Sequence, residues 1–270
     1  MSKKLVVGLC ILLPMLACAL LGPWLAPHDP ESIDLTKKFL PSGATYLLGT
    51  DHLGRDILSR LMVGARYSLS TVLYIITGLV AVSLCLGCMS GYLGGKIDSV
   101  IMRVCDAMMT FPTIVMALFL IGILGAGLTN LIIAIAATHA AWYTRLVRSH
   151  VLSLKSRGHI LAARAMGLSR TRIVLRHFLP AILVQILVLA TLDVGHMLLH
   201  VAGLSFLGLG IQPPTPEWGL MISEARNYIR SQPMLMFYPG LMIFMATAAC
   251  NLMGDAMRDR LDPALRAAGA

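Results

Sequence analysis

Asp193, His196 and His200 stand in an otherwise apolar stretch at positions i, i+3 and i+7. On a helix that spacing puts all three on one face. A carboxylate beside imidazoles can ligate a divalent metal, and an ionisable group at membrane depth tends to face a cavity or a partner. The same three groups would also serve an interhelical hydrogen-bond network that holds no ligand. His139, followed by Trp142-Tyr143, is a weaker candidate of the same kind. Other arrangements that would carry chemistry fail on context. Cys85-Leu86-Gly87-Cys88 has redox or metal spacing but lies inside an uncharged run, where small side chains serve helix packing. Gly91-Tyr92-Leu93-Gly94-Gly95-Lys96 imitates a phosphate loop, yet its spacing is wrong and Ile97 stands where Ser or Thr would meet magnesium. No H-E-x-x-H or G-x-S-x-G occurs, so the sequence favours a binding or transport role over catalysis.

The elements that hold these residues are apolar. The chain of 270 residues is 57% hydrophobic and 13% charged, with a mean hydropathy of +0.78. Soluble domains carry about 25% charged residues, so the expected solvent is the bilayer. The net charge of +9 would suit nucleic acid, but the basic residues sit beside apolar segments and not on a polar domain. No nucleic-acid partner is expected, and membrane lipid is. Six cysteines lie in or beside apolar segments, with no disulfide framework implied.

Uncharged runs predict an all-α polytopic protein with six spans. The first covers about 5–25 and is read as an uncleaved anchor, although Lys3-Lys4 and Ala17-Cys18-Ala19 imitate a signal peptide. The second lies within 67–95. The run 107–144 is too long for one helix, and Gly125-Ala126-Gly127-Leu128-Thr129-Asn130 divides it into the third and fourth. The fifth starts at Pro180, a permitted first-turn position, and ends near Ala202. The sixth lies within 231–254. Segments 28–66 and 203–233 are the long connections on the opposite side from the termini.

Charge sets the orientation. With the N-terminus inside, Lys3, Lys4, Lys96, Arg103, Arg258, Arg260, Arg266 and all eight Lys/Arg of 145–176 are cytoplasmic. The stretch 145–176 has no Asp or Glu. Both termini are expected in the cytoplasm. Within the basic stretch, Ala162-Ala163-x3-Gly167-x9-His177-x-Leu179-Pro180 suggests a short helix, a turn and a second helix, a shape that a second protein can grip. As a plain basic loop it would instead lie on anionic headgroups.

That pattern resembles the EAA loop in permease subunits of bacterial ATP-driven importers, with Leu161 at the position of the family's glutamate. Further blocks resemble the C-type permeases of oligopeptide, dipeptide and nickel importers. They are Leu48 to Arg60 with Gly64 to Leu69, Ala202 to Gly210 with Pro213, Pro214, Glu217, Trp218 and Gly219, and Asn251 to Asp259 with Leu261-Asp262-Pro263. The span carrying Asp193 looks more like nickel permeases than dipeptide ones.

The resemblance implies a type I importer permease fold. It implies an N-terminal span with external segment (1–66), a permease domain (67–258) with coupling loop 150–180, and a cytoplasmic tail (259–270). Leu161, Ala162, Ala163, Gly167, His177, Leu179 and Pro180 would dock a cytoplasmic ATPase, helped by Arg157, Arg164 and Arg170. Asp193, His196, His200 and His139 become translocation-pathway candidates, the first three as transient metal contacts. The implied partners are a homologous permease, two ATPases and a periplasmic or surface binding protein. No cofactor is expected on this chain, because ATP is used by the partners. The implied setting is the bacterial inner membrane, with alternating access as mechanism and nickel as cargo. Short peptides are the alternative cargo. An ion-coupled secondary transporter with Asp193 and the histidines as proton relay is a further reading that needs no docking loop. A membrane scaffold is disfavoured by the ionisable groups of span five.

Overall fold

A computed structural model describes residues 3–261, without the side chains of Arg164, Arg170, Arg260 and Leu261. The tail beyond Leu261, with Arg266 and the Asp262-Pro263 pair, lies outside the described residues. Ten α-helices occur among those described: α1 (Lys3–Leu25), α2 (Ile57–Leu93), α3 (Gly95–Met109), α4 (Thr113–Leu124), α5 (Leu128–Lys155), α6 (Gly158–Ala165), α7 (Arg170–Ile173), α8 (Leu179–Phe206), α9 (Trp218–Ala225) and α10 (Met234–Leu261). The extended structure among them is a single isolated bridge, Thr50 with Asp56.

Four helical stretches are long and apolar enough to cross a membrane: Lys3–Leu25, Ile57–Leu93, Thr171–Phe206 and Met234–Asp259. A fifth arises if α3 and α4, bent 97° at their junction, count as one. This differs from the six separate spans expected. The break at Gly125 to Asn130 is present, with φ of +91° at Gly125 and +140° at Gly127. The Asn130 amide donates to the Leu124 and Gly125 carbonyls at 2.8 and 3.1 Å. However, α4 before it has 12 residues, about 18 Å at 1.5 Å per residue, short of the ~30 Å hydrocarbon core. Thr110-Phe111-Pro112 separates it from α3, since the residue before a proline avoids the helical region. After the break, α5 runs to Lys155 and carries His139, Arg145 and Arg148, so it falls below span-like apolarity.

The chain divides into two compact units, with α2, α4, α5 and α8 contributing to both. The first holds 1–74, 121–132 and 191–270. In it, Gly8, Met15, Ala19 and Gly22 form the buried stripe of α1. A Cβ on Gly8 would lie 2.9 Å from Met253 Cγ of α10, and one on Gly22 would lie 2.9 Å from the Met62 carbonyl of α2. Leu13, Leu20, Trp24 and Leu25 point outward, as a lipid-facing helix requires.

The same unit holds an ionic knot. Arg55 Nε donates to Asp51 Oδ2 at 2.6 Å, and Arg55 and Arg60 both donate to Glu224 Oε2 at 2.9 Å. Both arginines are 1% exposed. Arg60 also reaches the Pro30 and Pro214 carbonyls at 3.0 and 3.3 Å, tying two connections to α2. Glu217 caps α9 by accepting from the Gly219 and Leu220 amides, and Ser68 of α2 donates to it, each at 2.9 Å. The Trp218 indole donates to the Leu61 carbonyl at 3.1 Å. Beside the knot, burial pushes the His52 imidazole below its ordinary value.

In the second unit (75–120 and 133–190), α2 lies on α5 along Ser83, Gly87 and Gly91. Ser83 donates to the Ala140 carbonyl at 3.2 Å. A Cβ on Gly87 would come within 2.5 Å of Val147, and one on Gly91 within 2.7 Å of Val151. Gly87-x3-Gly91 is thus a small-residue seam of the membrane type. Of the cysteine pair nearby, Cys88 is buried and Cys85 exposed.

The knot yields a stability prediction. Removing one carboxylate strands buried arginine charge, which costs about 3–5 kcal/mol. Glu224→Ala should markedly lower the unfolding temperature of the detergent-solubilised protein. An unchanged transition would show that the two arginines are satisfied without it.

Candidate functional site

The loop expected to couple is built as a helix, a turn and a helix. α6 ends at Ala165 and Gly167 takes φ of +78°. The Leu168 amide donates to the Ala163 carbonyl at 3.2 Å and the Met166 amide to the Ala162 carbonyl at 2.9 Å. This is a Schellman closure with glycine at the left-handed position. Ser169 then starts α7, its hydroxyl accepting from the Arg172 amide at 3.4 Å. A π-turn over Val174–Phe178 leads into α8 at Leu179, so Pro180 sits in the first turn of α8.

Burial divides the loop into an anchor and a free face. Ile160, Ala163, Ile173 and Phe178 are buried; Leu161, Ala162 and Met166 are exposed, Met166 to 74%. The Phe178 ring meets the Tyr92 ring edge-on at 5.6 Å. Lys155 donates to the Tyr92 carbonyl at 2.9 Å, so the end of α2, the end of α5 and the loop meet at one point. His177 is half-buried, its ring 6.4 Å from that of His159. Arg157 is exposed. The Arg164 and Arg170 side chains lie outside the described residues. At Leu161 an apolar side chain faces outward where the family carries a glutamate. Ala162, Leu161 and Met166 therefore present a small, largely apolar knob.

The stripe on α8 is also present. His196 is 72% exposed in its side chain, and its Nδ1 stands 3.4 Å from Asp193 Oδ1. His200 Nδ1 stands 2.7 Å from the His196 carbonyl, which makes Nδ1 the donor of that bond. His139 Nδ1 contacts the Ile135 carbonyl at 2.9 Å and belongs to the second unit. No group of three His, Cys, Asp or Glu placed to hold a metal ion occurs among the described residues. The carboxylate and imidazoles follow one another along the helix as successive single contacts. Sequence reasoning missed Glu224, which closes the knot, and the Asp98–Arg148 pair described below. Neither has a local spacing that reveals its partner.

A family model described as the binding-protein-dependent transport system inner membrane component matches residues 83–267. The chain belongs to that family. A second model, the N-terminal transmembrane domain of oligopeptide transport permease C, matches residues 2–41. This permease is 51% identical over 94% of its length to the nickel transport system permease protein NikC of Escherichia coli K12, covering 92% of that protein. It is 39% identical to the probable D,D-dipeptide transport permease DdpC of the same strain, over 97% of this chain and 88% of the other. It is also 39% identical to the glutathione transport permease GsiD of Pectobacterium atrosepticum, over 96% and 86%. A chain of the MetNI methionine ABC transporter in inward-facing conformations matches with a TM-score of 0.60 over 74% of this chain and 95% of that one, at 19% identity. That last likeness is one of fold. The protein is a multi-pass inner-membrane permease subunit of an ABC importer and not itself an enzyme.

The loop geometry makes Gly167 testable. A left-handed backbone costs an L-residue roughly 1–2 kcal/mol, and a β-branched residue is a genuine outlier there. No neighbouring atom lies within 4 Å of a Cβ at Gly167, so Gly167→Val acts on the turn alone. Membrane insertion should stay normal while uptake and ATPase co-purification fall. Normal values of both would reject this turn as the docking element.

Proposed function

We propose that this permease moves nickel ion or a nickel chelate inward by alternating access. The observation that carries the cargo is the 51% identity to a nickel permease against 39% to D,D-dipeptide and glutathione permeases. Two ATPase subunits bind and hydrolyse ATP, and this chain holds no cofactor. A homologous permease completes the pore, and a periplasmic or surface binding protein delivers the cargo. ATP binding closes the ATPases, the loop 150–180 moves with them, and the spans open outward.

In this reading the chain has six spans: α1, α2, the bent α3–α4 pair, α5, α8 and α10. α5 crosses despite its polarity because its polar groups are satisfied within the protein; Thr138, for example, donates to the Ile135 carbonyl at 3.0 Å. Residues 1–66 form the N-terminal span and external segment, 67–258 the permease domain and 259–270 a cytoplasmic tail. Both termini are cytoplasmic. Asp193, His196 and His200 pass the ion along α8 with His139 as a further pathway group. Each contact is weak, since a tight site would trap the ion. Short peptides are the second reading, favoured by the match to the oligopeptide permease C model over 2–41.

Two measurements test this. In a strain lacking its own nickel importer, the complete transporter should restore radionickel uptake and leave labelled dipeptide uptake unchanged. His196→Gln with His200→Gln should assemble normally yet lose that uptake. Uptake equal to wild type at equal expression would sink the metal role of the stripe, and dipeptide uptake without nickel uptake would favour peptides. For topology, single cysteines at Ser42 and Ser156 in a cysteine-free background should label from outside and inside respectively. Labelling of Ser42 from the cytoplasm alone would reverse the orientation.

A further inference from the structure

α3 is attached unusually for a helix next to two others. It leaves α2 through Gly94 and Gly95, both left-handed, with φ of +69° and +59°. A Cβ at either would meet nothing within 4 Å, so no neighbouring atom lies against either glycine. Beneath α3 lies an open apolar groove of about 320 Å³, lined by Val82 and Leu86 of α2, Val100 and Val104 of α3, and Ala140 and Ala141 of α5. The apolar side chains Ile97, Val100 and Val104 are exposed. Along this groove α3 meets α2 and α5 less closely than α2 meets α5 at Gly87 and Gly91.

Polar contacts hold it instead. Arg148 of α5 grips Asp98 of α3 with both arms, Nε to Oδ1 at 2.5 Å and the second nitrogen to Oδ2 at 2.6 Å. Ser90 of α2 donates to the same carboxylate. The pair is largely shielded, with side chains 19% and 30% exposed. A second pair, Arg145 with Asp106 at 3.0 Å, is about half-exposed on both sides and contributes little. Two turns along from Arg148, Lys155 clamps the end of α2 beside Phe178 of the coupling loop. The stem that carries the loop is therefore the same stem that holds α3.

We infer that Asp98 and Arg148 are positioning residues for energy coupling: their two-pronged ion pair ties α3, and the α4 helix that follows it, to the stem of the coupling loop. Displacement of the loop then drags α3 about the Gly94-Gly95 corner, and the apolar groove gives α3 room to move. Bidentate geometry matters because a fork resists rotation where a single point contact does not. Ser90 fixes the carboxylate for the fork. This inference rests on the proposed ATPase-driven role of the loop.

The test is transported nickel per ATP hydrolysed, measured on the complete transporter in proteoliposomes, with ATPase co-purification read separately. Asp98→Asn keeps shape and removes the charge. Arg148→Lys keeps the charge and removes the fork. Both should co-purify normally with the ATPases and hydrolyse ATP. Asp98→Asn should move about tenfold fewer ions per ATP, the factor set by losing a charge-assisted hydrogen bond, and Arg148→Lys should fall between it and wild type. An unchanged ratio in the assembled variants, even at reduced yield, would overturn the inference and leave the pair a plain structural contact. If Asp98→Asn is not recovered, Arg148→Lys and Ser90→Ala decide by the same ratio, which the inference requires to fall. If wild type itself recruits no ATPase, the coupling role of the loop fails and this inference fails with it. If wild type couples and the variants couple equally, the strut alone is wrong.

Discussion

A hydrocarbon core supplies no water, so every polar group that enters it must be satisfied by the protein. Most of this architecture follows from that constraint. Backbone groups are satisfied by helices. At the edges of the core, buried side chains find partners that are often far away in sequence: Arg55 with Glu224, Ser68 with Glu217, Arg148 with Asp98. Helices cannot gain much by hiding apolar surface from lipid, because lipid is equally apolar. They gain by close approach, and Gly8, Gly22, Gly87 and Gly91 sit where a side chain would collide. The exposed leucines of α1 are the counterpart, since they need no protein neighbour.

The constraint also separates densely bonded regions from more open ones. Around α9 and the start of α2, the charges are buried and multiply bonded, and Trp218 is fully packed. At the other end of α2 the chain has two left-handed glycines, an open groove and an ion pair with some access to solvent. The loop between α5 and α8 has a comparable division. Its inner residues are anchored, and its outer face of Leu161, Ala162 and Met166 has no polar demand of its own. A partner can cover such a face without stranding buried hydrogen-bonding groups.

Features with a local cause were legible in the sequence. The Gly167 turn follows from glycine at a helix end, and the Gly125 to Asn130 break follows from turn residues in an apolar run. The α8 stripe follows from helical spacing. Features that depend on distant partners were not legible. Glu224 lies 169 residues from Arg55, and nothing near it marks it as a counter-ion. The uncharged run 67–95 marks a span but not the helix start: α2 begins ten residues earlier, at Ile57. Burial of Arg60 against Glu224 and two carbonyls allows the helix to continue through it. The uncharged run that follows Ala107 takes in α4 but little of α3, because α3 carries Lys96, Asp98, Arg103 and Asp106.

In the proposed mechanism, chemical energy enters at one knob on a packed stem. Site-specific cross-linking tests that placement directly. A cysteine at Met166, in a transporter otherwise free of accessible cysteines, should cross-link to the ATPase subunit at high yield, and the yield should change when ATP is trapped without hydrolysis. A cysteine at Leu35 in the external segment should give no such product. Cross-linking from Leu35, or none from Met166 in a transporter that pumps at the wild-type rate, would contradict the account.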